Sequence, residues 1–119
     1  MIALLSIGVA AAFAAVLYYM RLFDSLVRWE YQHHREQWER DGKPDGFFWR
    51  AEECVPWSSG IAKKRLDVQW LFKTPTWAAE TDQCRLWLLQ RRIICAVGVL
   101  AVLVVLATLL FTRFVHRRG

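Results

Sequence analysis

The sequence predicts an all-α membrane protein, in which two transmembrane helices extend into a helical hairpin and are joined by a small, tryptophan-rich polar segment. Three observations carry this expectation: an uncharged run near each end of the chain, and helical spacing in the residues that adjoin both runs. The more decisive run is Ile93 to Thr112, twenty residues without a formal charge. At about 1.5 Å rise per residue, these make a helix roughly 30 Å long, the thickness of a bilayer core. Thirteen of the twenty are Ile, Val, Leu or Phe. Each contributes up to about −0.3 to −0.6 kcal/mol to insertion when central, so the sum favours lipid by several kcal/mol. A soluble helix would show a polar residue every three or four positions on its wet face. This one shows only Cys95, Thr108 and Thr112.

Residues 1–20, MIALLSIGVAAAFAAVLYYM, hold eight strong hydrophobes and six alanines. Alanine is close to neutral for insertion, so this is the weaker span. A secretory signal peptide is the competing reading. The stretch has no Lys or Arg before its apolar run, and it passes into Tyr18, Tyr19 and Arg21 with no small-residue cleavage site, so an uncleaved span is expected.

Residues 21–41 continue at helical spacing: Phe23, Val27, Tyr31, His34 and Trp38 form one stripe, and Asp24/Arg28 and Glu36/Arg40 are spaced as supporting pairs. The expected amphipathic extension stops at the turn signal DGKPDG, residues 41–46. Residues 42–75 read as a mostly irregular cap with one short helix, because Pro56 and Gly60 interrupt the periodicity. Residues 76–92 resume a helical pattern, with Thr76 or Thr81 as caps, and lead into the span at 93–112; residues 113–119 are a basic tail.

Residues 21–92 hold all eleven acidic and thirteen of the sixteen basic residues, an excess of only two positive charges. A nucleic-acid binder would show dominant, clustered basic residues, so no nucleic-acid partner is expected. Arg21, Arg28 and Arg35 follow the first span, and Arg85, Arg91 and Arg92 precede the second. Flanking positive charge marks the cytoplasmic side, which places loop 21–91 in the cytoplasm and both termini outside. Arg113, Arg117 and Arg118 count against that orientation.

Catalytic chemistry finds little support. Cys54, Cys84 and Cys95 lack C-x-x-C spacing, His33 and His34 sit about 100° apart around a helix, and Glu52 and Glu53 are adjacent instead of opposed. No triad or phosphate-cradling glycine loop occurs. Neither span carries an internal ionisable residue, which argues against an ion path. No enzyme activity, metal or cofactor is therefore expected.

Contact surfaces are better represented. Gly8/Ala12 and Ala11/Ala15 are small-xxx-small pairs, and Gly98 with Ala101 offers a second flat patch, so the two spans are expected to pack on each other, with surplus faces left for an oligomer or a larger partner. Interface anchors are expected at Tyr18, Tyr19, Trp29, Trp87, Arg91, Arg92 and Arg113. The seven tryptophans suit either a lipid or protein interface or the core of the cap.

The layout resembles the universal stress protein B family, small bacterial inner-membrane proteins with one span near each end. The resemblance rests on DGFF at Asp45 to Phe48, on Arg65 and Leu66, on Cys84 shortly before Arg91 and Arg92, and on the Val/Leu-rich terminal span. It implies a membrane protein of stress physiology without an established catalytic site. The functional expectation is a non-catalytic membrane protein acting through protein or lipid contacts. The alternatives are an accessory subunit of a larger respiratory or transport complex and a redox or metal-binding membrane component.

Overall fold

A computed structural model describes residues 1–118. The chain folds into five helices and, among the described residues, no strand: α1 (Ile2–His33), α2 (Arg35–Arg40), α3 (Pro56–Phe72), α4 (Thr76–Ala79) and α5 (Asp82–Arg118). The two long helices α1 and α5 run antiparallel where they meet, with Tyr18 beside Gln90 and Trp29 beside Trp87. Each is long and apolar enough to cross a membrane, over the stretches read above as residues 1–20 and 93–112. Residues 1–20 and 93–112 form two arms, and residues 21–92 form a cap at the ends where α1 and α5 meet.

The cap is where burial occurs. Its core comprises Phe23, Leu26 and Val27 of α1, Trp38 of α2, Leu66 and Trp70 of α3, Trp77 and Ala78 of α4, and Cys84 and Leu88 of α5. Burying a large apolar side chain contributes about 1.5–3 kcal/mol, so this cluster is enough to hold short helices that have little stability alone. Six of the seven tryptophans lie in the core or against it, and only Trp57, 85% exposed, stands outside. Edge and tilted aromatic contacts link Phe23 to Trp70 at 5.4 Å and Trp70 to Trp77 at 5.7 Å.

The expected extension of α1 is present, but it breaks at His34, whose backbone turns to φ −136° and ψ 56°. The His34 N–H donates to the Glu30 carbonyl and the Trp38 N–H to the His34 carbonyl, which carries the chain across the break into α2. The stripe is real: Phe23, Val27 and Trp38 are buried, and Tyr31 is half-buried. Gly42 and Lys43 then adopt positive φ, 97° and 54°, and end the helix at the DGKPDG turn as expected. A side chain at Gly42 would also press to 3.1 Å from Ala62 Cβ.

The reading of residues 42–75 as mostly irregular is corrected, since α3 occupies seventeen of them. Pro56 sits at the start of the helix, where an amide N–H has no helical partner to lose and its fixed φ is already helical. Ser59 Oγ accepts the Val55 amide at 2.8 Å, and Ser59, Ala62, Leu66 and Trp70 form a buried stripe that outweighs the cost of Gly60. The lead-in at 76–92 is also divided: α4 ends at Ala79, and α5 begins at Asp82 and continues without interruption through the basic tail to Arg118.

The expected packing of the two spans on each other is not observed. Gly8, Ala11, Ala12, Ala15, Gly98 and Ala101 are all exposed, and nothing beyond the local helix lies within 4 Å of a Cβ built on Gly8 or Gly98. The apolar closure between α1 and α5 lies in the cap, and the small faces of the arms are left free.

Candidate functional site

The densest polar constellation sits where the arms leave the cap. Arg91, fully buried on α5, donates from Nη2 to the Tyr19 hydroxyl at 2.9 Å and to the Asp67 backbone oxygen at 2.6 Å, and it pairs with the Asp67 carboxylate. The Tyr19 hydroxyl in turn donates to Asp67 Oδ1 at 3.1 Å. The guanidinium carbon lies 4.7 Å from the Tyr19 ring centroid and 5.1 Å from that of Phe23, so two aromatic faces support the charge where water does not reach. Three helices are thus tied at one point: α1 through Tyr19, α3 through Asp67 and α5 through Arg91.

The neighbouring Arg92 behaves differently. Its Nε and Nη2 donate to the Trp70 carbonyl at 3.2 and 3.1 Å, and Nη2 also reaches Thr74 Oγ1 at 3.0 Å. It forms no ion pair among the described residues.

A second polar anchor lies one helical turn into the cap. The buried Asp24 carboxylate accepts three consecutive amides, from Phe47 at 2.6 Å, Phe48 at 2.7 Å and Trp49 at 3.1 Å. Asp24 therefore turns inward and forms no ion pair with Arg28. Burial lifts its pKa above the usual carboxylate range, while the three amides and Lys63 pull it back. A Cβ at Gly46 would stand 2.5 Å from Asp24 Oδ1, so the loop can close on the carboxylate only with glycine there. The DGFF motif is accordingly the segment that Asp24 holds.

The third feature is Glu30, completely buried between α1, α2 and α4, with neither carboxyl oxygen in a hydrogen bond. Burial, together with the nearby Asp41 carboxylate, pushes its pKa up to about 9, against the pull of the Trp77 indole N–H. Glu30 is therefore protonated at neutral pH. Trp77 also lines a polar cavity of about 360 Å³ with His33, His34, Arg40, Thr76 and Glu80.

The other singled-out residues distribute as follows. Tyr18 donates to Gln90 Oε1 at 3.0 Å. Trp29 and Trp87 were expected as lipid anchors, but the structure packs them against each other at 6.0 Å on the cap core, with Trp29 also stacked on His33 at 4.1 Å. Arg91 is likewise an internal strut instead of a surface anchor, because Asp67 and Tyr19 draw it inward. Arg92 is half-buried, and Arg113 is exposed on its arm.

Among the described residues, no group of three His, Cys, Asp or Glu side chains converges as a metal site would. The three thiols are unpaired, and burial pushes Cys84 up to about 11, which leaves it a poor nucleophile. Sequence reasoning missed Asp24, Glu30 and Asp67. Asp24 and Glu30 stand at positions of α1 that the fold buries, whereas Asp67 is half-buried, and no local pattern in the sequence singles out any of the three. No family model matches the sequence, and neither curated proteins nor solved structures yield a significant match.

Proposed function

We propose that this chain is a non-catalytic integral membrane protein whose cap serves as a rigid mount for two membrane-crossing arms, and that it acts through contacts the arms make with a membrane-protein partner or a second copy. The observation that carries the proposal is the contrast between a closed, polar-anchored cap and two apolar arms with no buried residue in their most apolar stretches. Free small faces at Gly8/Ala12, Ala11/Ala15 and Gly98/Ala101 support close approach of another helix, the geometry that drives association in lipid.

The resemblance to universal stress protein B supports a role in stress physiology at a bacterial inner membrane, with the cap cytoplasmic and the termini outside. A second reading, an accessory subunit of a larger respiratory or transport complex, is favoured by the same free small faces.

Carbonate extraction of membranes tests the integral placement, and a protein released into the supernatant overturns it. Gentle detergent isolation tests the contact role: the expected result is a larger assembly, and a monomer with no co-purifying partner overturns it. A reporter fused after Arg118 tests orientation, since activity in the cytoplasm reverses the proposed topology.

A further inference from the structure

Arg91 and Arg92 are adjacent on α5 and differ in one respect that matters. Arg91 is neutralised by Asp67, whereas Arg92 is fixed by neutral acceptors alone, the Trp70 carbonyl and Thr74 Oγ1. Arg92 is thus an ordered cation with no carboxylate partner, and Lys73, exposed just beyond the end of α3 and adjacent to the Thr74 that Arg92 holds, also pairs with no carboxylate among the described residues. The local field therefore favours an anion.

Arg92 also stands at one end of an apolar trough. A cavity of about 450 Å³ runs between the end of α3 and the outer face of α5, walled by Leu71, Phe72, Cys95, Val99, Leu100 and Leu103. That volume lies within the range of small-molecule sites, about 300–1,000 Å³. From Arg92 to Leu103 the helix rises about 16 Å, close to half of a roughly 30 Å hydrocarbon core. The trough is thus about one leaflet deep. Its far end is hydrocarbon, and its near end is a fixed positive charge at the level where the arm enters the cap.

We infer that this trough binds one anionic phospholipid, with the headgroup phosphate on Arg92 and Lys73 and an acyl chain laid along Phe72, Val99, Leu100 and Leu103. A free phosphate would satisfy the charge but leave the trough empty. A zwitterionic lipid would fill the trough but bring its own cation to the basic end. The anionic lipid alone matches both halves. The inference rests on the membrane reading proposed above, and its test is separable from that reading: release of the chain by carbonate removes both, whereas a membrane-retained chain that fails the lipid test removes only this one.

The test uses the full chain in mild detergent, with native mass spectrometry after addition of equal amounts of phosphatidylglycerol and phosphatidylcholine. The expected result is one retained phosphatidylglycerol, preferred roughly fivefold, as suits one or two headgroup charge contacts. Arg92→Gln is expected to abolish the preference and Arg92→Lys to keep it. Leu103→Trp, on the exposed arm and away from the cap, is expected to lower retention of the lipid by filling the trough. Equal retention of the two lipids overturns the inference, as does a preference that survives Arg92→Gln. Inorganic phosphate that displaces the lipid at equal concentration would show a soluble-anion site and overturn the assignment to lipid.

Discussion

Arg91 and Asp67 meet in an ion pair across twenty-four residues of sequence, the arginine fully buried and the aspartate side chain 28% exposed. The pair joins α3 to α5 at the level where the arms begin, and the Tyr19 hydroxyl bridges it to α1. Without it, the cap core would still cohere through Phe23, Trp70 and Leu88, but α5 would hold α3 by polar contacts only near its end, through the Arg92 bonds to the Trp70 carbonyl and Thr74.

Asp67→Ala is expected to be more damaging than Arg91→Leu. The first leaves a buried guanidinium without its counter-charge, a loss of about 3–5 kcal/mol for a broken buried pair. The second removes both the charge and its desolvation cost. Thermal unfolding of the two variants and the double variant in the same detergent measures the difference. Equal losses would show that Asp67 does not compensate Arg91.

Asp24→Ala is expected to free the loop at Phe47 to Trp49, since three amides lose their acceptor, at about 1–3 kcal/mol for each one left unsatisfied. Gly46→Ala should produce the same loosening from the other side of the contact, because its Cβ would overlap the carboxylate. Hydrogen exchange at residues 46–49 reports both. Unchanged protection in either variant would contradict the clamp.

Glu30 predicts a pH dependence of definite sign. Its pKa is raised to about 9 in the folded chain, so the native state holds a proton that the unfolded chain releases at ordinary carboxylate pH. Its stabilising contribution is complete below the unfolded value, declines as pH rises above it, and is gone once pH passes about 9. Glu30→Gln, which keeps the shape and cannot ionise, is expected to flatten the fall in unfolding temperature between neutral and alkaline pH. An equally steep fall in that variant would assign the dependence to another group.

The thiols should separate by rate. Cys84 is fully buried, with its pKa pushed up to about 11, whereas Cys54 is half-buried in a loop and donates weakly to the Lys43 carbonyl at 3.6 Å. A water-soluble maleimide is expected to label Cys54 well before Cys84, with Cys84 reacting only after unfolding. Prompt labelling of Cys84 would show that the α1–α5 contact opens readily.

The arms and the α1 stripe were legible in the sequence because they depend on local composition: twenty uncharged residues, or Phe23, Val27 and Trp38 at helical intervals. The turn at Gly42 was legible for the same reason. Helix α3 was harder, because Pro56 and Gly60 are breakers in most contexts, and only their positions, at the start of the helix and beside a buried stripe, make them tolerable. The polar anchors were illegible for a different reason. Asp24 reads as half of an i,i+4 pair with Arg28 until the loop 23 to 25 residues away folds back over it. Arg91 reads as a membrane-edge charge until α3 brings Asp67 to it. Trp29 and Trp87 misled because the rings that suit a lipid surface suit an aromatic core equally well.

Helix α5 is continuous for thirty-seven residues, from Asp82 in the cap to Arg118 at the far tip, whereas α1 ends at His34 and passes into a separate short helix. That break lies inside the cap, so both arms join the cap through unbroken helix, α1 from Ile2 to His33 and α5 from Asp82 to Arg118. A tilt of α5 about Arg91 cannot be absorbed by a joint, and over the roughly 40 Å from Arg91 to Arg118 a tilt of about 10° sweeps the tip through about 7 Å. A small rearrangement of aromatic packing in the cap would thus emerge as lateral movement at the opposite end of α5, with α5 as the lever and the Arg91–Asp67 pair at its pivot.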